Sequence, residues 1–183
     1  NDIGGLSGIH VHGSNDTVNV TGFEKFSIYN SNEFESIDGH NGGNGIRICN
    51  SGSKVIVKGN PGSTIEIDVG QSGVVMDSGE EISLSAGTIN ILTEGTGYKE
   101  NKVYKGHAVV NTSGGAIKVL ATDKISISND NIENNDSVCA VYGRDGTIVI
   151  GTDEDAEKKA TVEVNGNVKA EGTSAIDLKL ETK

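Results

Sequence analysis

The chain has 183 residues, 34% of them hydrophobic, with 26 Gly, one Pro, no Trp and a net charge of −11. That acidity excludes nucleic acid, whose phosphates need a basic stripe, and anionic membrane surfaces; no apolar run approaches the roughly 18 residues of a membrane span. Strict alternation of β-branched with polar residues excludes disorder and fits a thin, two-sided sheet in which every second side chain faces water.

Short alternating runs separated by Gly, Asn, Ser and Asp predict strands and tight corners, and they recur. The first repeat opens on Gly8-Ile9, turns at His12–Asp16, and continues through strands at Thr17–Val20 and Lys25–Ile28. An insert, Tyr29–Asn44, leads to the tidiest repeat, Gly45–Asp68, with strands at Ile46–Ile48, Lys54–Val57 and Thr64–Asp68. A short junction, Val69–Ser72, leads to Gly73-Val74, Ile82–Leu84 and Thr88–Ile91, then to the insert Thr93–His107. The fourth repeat reads Ala108-Val109, Ala116–Val119 and Lys124–Ser128, followed by the insert Asn129–Cys139.

The fifth repeat reads Ala140-Val141, Thr147–Ile150 and Thr161–Val164, with a loop at Gly151–Lys159 and an insert at Asn165–Ser174. Ala175-Ile176 then opens a sixth. Spacings between openings are 37, 28, 35, 32 and 35 residues, the signature of a solenoid with loop insertions. Inward rows are predicted to stack Ile9, Ile46, Val74, Val109, Val141 and Ile176; Val18, Val55, Ile82, Ile117 and Ile148; and Phe26, Ile65, Ile89, Ile125 and Val162. Four of the five longest inserts fall between the third strand of one repeat and the first of the next. The loop Gly151–Lys159, with Glu154/Lys158 and Asp155/Lys159 spaced i,i+4, admits a single helical turn. The chain starts inside a repeat and ends on another, so residues 1–183 read as one segment excised from a longer chain, with any targeting signal lost.

GNGIRICNSGSKVIV (Gly43–Val57) and GHAVVNTSGGAIKV (Gly106–Val119) carry small-Ile/Val openings, Ser/Asn-Gly corners and β-branched alternation. In this the chain resembles passenger domains of autotransporter adhesins from Gram-negative bacteria. The resemblance implies an all-β fold, a right-handed parallel β-helix of about five full coils of three strands plus a partial sixth. It also implies export across the outer membrane and display at the cell surface. The long inserts of the first and third coils, and the absence of a translocator barrel from this sequence, depart from the family pattern.

The insert corner collects Tyr29, Phe34, Tyr98 and Tyr104 beside Asn101, ring faces flanked by hydrogen-bonding groups that suit sugars or a protein partner. Rings at such a corner also serve as edge packing. His10 and His12 share a face two residues apart but lack further ligands at metal spacing, and are expected to face solvent. Asp153, Glu154, Asp155 and Glu157, followed at once by Lys158 and Lys159, read as a solvated loop, as do Asp130, Glu133 and Asp136. Cys49 and Cys139 lie three coils apart and are expected to be free thiols. Asp68 and Asp77 are the carboxylates a β-helical glycosidase or lyase would place near one another. No nucleophile elbow, metal set or cofactor motif is present. The reading is a non-catalytic adhesin segment binding host glycan, host protein or its own copy; a carbohydrate-active enzyme and a plain stalk are the alternatives.

Overall fold

The computed structural model describes residues 7–30, 43–93, 106–130 and 138–179. Among them the chain is strand and turn without helix. The strands are β1 (Ile9–Val11), β2 (Thr17–Thr21), β3 (Lys25–Asn30), β4 (Ile46–Ile48), β5 (Lys54–Lys58), β6 (Thr64–Val69), β7 (Val74–Met76) and β8 (Glu81–Thr93). They continue as β9 (Val109–Asn111), β10 (Ala116–Asn129), β11 (Val141–Gly143), β12 (Thr147–Thr152), β13 (Thr161–Asn165), β14 (Val168–Ala170) and β15 (Ala175–Leu178). Strands β1, β4, β7, β9, β11 and β14 form one sheet, and the other nine form a second.

Every pairing in both sheets is parallel and joins equivalent positions of successive repeats. Ile9 pairs with Ile46, Ile46 with Val74, Val74 with Val109, and Val109 with Val141. Val18, Val55, Ile82, Ile117 and Ile148 form a second row. Phe26, Ile65, Ile89, Ile125 and Val162 form a third. These rows, with the apolar inward residues two steps on (Val11, Ile48, Met76, Val57, Leu84, Ile67 and Ile91 among them), make one contiguous core. In the second repeat Ile46, Ile48, Val55, Val57, Ile65 and Ile67 are all 0% exposed. A one-residue slip would turn each row to water, so the apolar alternation itself holds the register.

The sixth repeat departs from the sequence expectation. Ala175–Leu178 does not open it: Ile176 pairs with Ile148, in the second-strand row, and Val168 takes the place next to Val141. The segment Asn165–Ser174 is therefore not an insert; it contains β14 and two short corners. Nor do the third and fourth repeats break between their second and third strands. Only Gly87 separates Ala86 from Thr88, so β8 runs on, and β10 follows it with a bulge at Thr122-Asp123.

Corners before the second strand have the backbone their residues suggested, with positive φ at Asn15 (60°), Gly52 (72°) and Gly146 (74°). At Gly146 space is also decisive, since a Cβ would lie 2.2 Å from the Gly115 carbonyl oxygen. Asn111, fully buried on an inward position, fastens two corners: its amide donates to the Gly115 and Thr147 carbonyls at 2.9 and 3.1 Å. The loop after β12 is a turn rather than a helical turn. The Ala156 amide donates to the Asp153 carbonyl, and Lys158 pairs with Asp123 at 3.1 Å instead of with Glu154.

The first sheet is not two-sided in its middle. Its outward residues Val75, Val110 and Tyr142 are 2%, 0% and 4% exposed and form a second cluster with Cys139. Along this row the residues are His10, Arg47, Val75, Val110, Tyr142 and Lys169, apolar or aromatic at the centre and polar or charged toward its ends.

Candidate functional site

The outer face of β3 and β6 presents the first candidate. Alternation turns Phe26 and Ile28 inward, so Lys25, Ser27 and Tyr29 point out, beside Thr64, Glu66 and Asp68 of the next strand. Tyr29 is 60% exposed and its hydroxyl donates to Glu66 Oε2, which also accepts from Lys25 Nζ at 2.7 Å. The Lys25 hydrogen bond, then that of Tyr29, holds the Glu66 carboxyl below its usual range, and Glu66 in turn raises Lys25. The result is an exposed ring face edged by a fixed carboxylate and an ammonium, groups that can stack on a pyranose and hydrogen-bond its hydroxyls.

Of the five residues singled out from sequence, Tyr29 alone belongs to this described surface. Phe34, Tyr98, Asn101 and Tyr104 lie outside the described residues. What is described is where their segments leave and return. Asn30 pairs with Val69, Val69 with Thr93 and Thr93 with Asn129, so three insert-bearing strands end in one register. On the return side, the carbonyls of Asn44, His107 and Cys139 each accept an amide of the adjoining repeat. These bases are packed: Asn44, Thr93, His107 and Cys139 are buried, and His107 stacks on Tyr142 with centroids 4.9 Å apart.

A second cluster sits on the outer face of the first sheet. His10 and His12 are exposed as expected, but register places Arg47, Cys49 and Asp77 against them. His10 Nε2 lies 3.1 Å from Cys49 Sγ; Cys49 Sγ lies 3.9 Å from Asp77 Oδ2; and Arg47 grips that oxygen at 2.5 and 2.7 Å. Burial, then Asp77, pushes the Cys49 thiol up against the pull of Arg47. Burial, then Arg47 and His12, lowers His10. Both groups thus favour their neutral forms, the opposite of a thiolate–imidazolium nucleophile. Both cysteines are free, and Cys139 is buried. Among the described residues no group of three or more His, Cys, Asp or Glu is arranged to hold a metal ion.

The remaining charged candidates are separated. Asp68 sits in the row Tyr29–Asp68–Leu92 of the larger sheet, whereas Asp77 follows β7 of the smaller one, held by Arg47; they are not a carboxylate pair. Asp153 accepts from Ser85 Oγ at 2.5 Å, the main cause of its lowered pKa. Asp130 accepts from Ser128, while Glu133 and Asp136 lie outside the described residues. An open groove of about 420 Å³ runs along stacked corners, lined by Gly52, Ser78, Glu80, Ser113, Gly114 and Thr147 among others. It lacks an aromatic platform. No described helix is long and apolar enough to cross a membrane. The chain matches no protein-family model, no curated protein and no solved structure.

Proposed function

We propose that the chain is a segment of right-handed parallel β-helix from a cell-surface adhesin, non-catalytic, binding host glycan or surface protein through its outer face and inserts. Support for the winding comes from parallel pairing of every strand with its equivalent one repeat on, since crossovers between parallel neighbours are right-handed as a rule. The observation that carries the binding reading is the common register of the strand ends at Asn30, Thr93 and Asn129, next to the exposed Tyr29–Glu66–Lys25 surface. Inserts anchored in line on rigid strands present many modest contacts to one partner, and avidity multiplies them. Export and surface display are what the resemblance to autotransporter passengers implies, and the acidic, cysteine-poor composition is compatible with that route.

A glycan and matrix-protein array probed with bead-coupled chain tests this. Selective retention, reduced by Tyr29→Ala, is the expected result. An array without hits argues for a plain stalk; release of reducing ends from polysaccharide argues for an enzyme.

A further inference from the structure

Charge and hydrogen-bonding capacity on the Tyr29 surface sort its ligands by sign. Glu66 Oε2 is taken by the Tyr29 hydroxyl and by Lys25 Nζ, the latter at 2.7 Å. The other Glu66 oxygen, and both oxygens of Asp68 directly across from Tyr29, take no hydrogen bond or ion pair among the described residues. A carboxylate oxygen only accepts, so these atoms call for donors. Beside them the Tyr29 ring, 60% exposed, offers an apolar face. Adjacent hydroxyls on one edge of a pyranose supply such donors to a carboxylate, and the C–H face of the same sugar stacks on an aromatic ring. Glu66 and Asp68 of β6, then Asn90 and Leu92 of β8, carry this surface inward from Tyr29, away from the free edge of β3.

Charged ligands fit less well. An acidic sugar would bring its carboxylate or sulphate against Glu66, kept ionised by Lys25 and Tyr29, and against unpaired Asp68, on a chain of net charge −11. A basic side chain would have to compete with Lys25, which already holds Glu66 and is itself stabilised as a cation by Glu66 and Tyr29. We propose that the Tyr29–Glu66–Asp68 surface takes neutral pyranose sugars and rejects their sialylated or sulphated counterparts. This selectivity rests on the glycan reading above and narrows it to one chemical class.

The full 183-residue chain, coupled to beads and offered pairs of glycans that differ only in a terminal acidic group, tests it. Neutral members should retain it about tenfold more than their acidic partners, and a free neutral methyl hexoside should compete. Tyr29→Ala should lower retention on both classes together. Asp68→Lys, on the outer face, should instead raise retention on the acidic members and narrow the ratio, a change that a loss of packing would not produce. Should Asp68→Lys fail to fold, added salt on the unaltered chain gives a second readout: screening the repulsion should lift the acidic members alone. Equal or stronger retention on the acidic members overturns the proposal and leaves the adhesin reading standing. So does retention on a protein that is displaced by basic peptide and not by sugar. A ratio indifferent to both salt and Asp68→Lys also overturns it, and no retention on any glycan or matrix protein removes both readings.

Discussion

His10 reports on the charges beside it. Its imidazole lies below the ordinary value of about 6.5, first through burial, then through Arg47 and His12, with Asp77 opposing them. A group with a lowered folded pKa contributes stability that is present above its unfolded pKa, near 6.5, and lost as pH falls through the folded value. Removing either partner should move the midpoint in a known direction. Arg47→Met removes a repelling cation and raises it; Asp77→Asn leaves that cation unopposed and lowers it. Nuclear magnetic resonance titration of the His10 ring checks this, and no shift in either variant would show that burial alone sets the value. Cys49 argues in the same way at its thiol: without an imidazolium beside it, it stays protonated near neutral pH, so the cluster is a polar seam between repeats rather than a nucleophile.

At the scale of the strand, the value of a side chain depends on its place in the row. Ile117 and Ile176 occupy equivalent positions, but Ile117 is fully buried with a neighbour on each side, while Ile176 has Ile148 on one side and is only partly buried. Ile117→Ala should cost about 3–4 kcal/mol, as in a well-packed core, and Ile176→Ala about 1 kcal/mol. Urea unfolding at low protein concentration measures both, and equal losses would contradict stacking as the source of stability. The rows were legible in the sequence because a period of two on β-branched residues leaves one register that hides them all. The sixth repeat was not: Asn167-Val168 lacks the small residue that opens the others, while Ala175-Ile176 imitates that opening within a second strand. The Cys49 seam was hidden too, since its residues come from three repeats and meet only once the register is known. Likewise Val75 and Val110 sit where alternation predicts solvent, and their burial depends on contacts beyond the strand.

For the whole molecule, the two sheets separate scaffold from inserts, and one junction shows how little chain the scaffold needs. Between β6 and β7 the crossing is made by Gly70–Gly73 alone. Asn30 pairs with Val69 and Ile46 with Val74, so the longer crossing from β3 to β4 starts and finishes one strand away from that short one. The register of the flanking strands thus matches that of the short crossing, and replacing residues 31–44 with a copy of Gly70–Ser72 should leave cooperative unfolding intact. Closing a shorter loop should even stabilise the chain, by about 1 kcal/mol from loop entropy. If the inserts bind the partner, this variant loses retention on the array while circular dichroism and the unfolding midpoint hold or improve. Retention unchanged in this variant but lost in Tyr29→Ala would move the site onto the strands themselves, to the Tyr29–Glu66–Lys25 surface. Loss of folding would show instead that residues 31–44 form part of the core, and that the neighbouring short crossing cannot serve this junction.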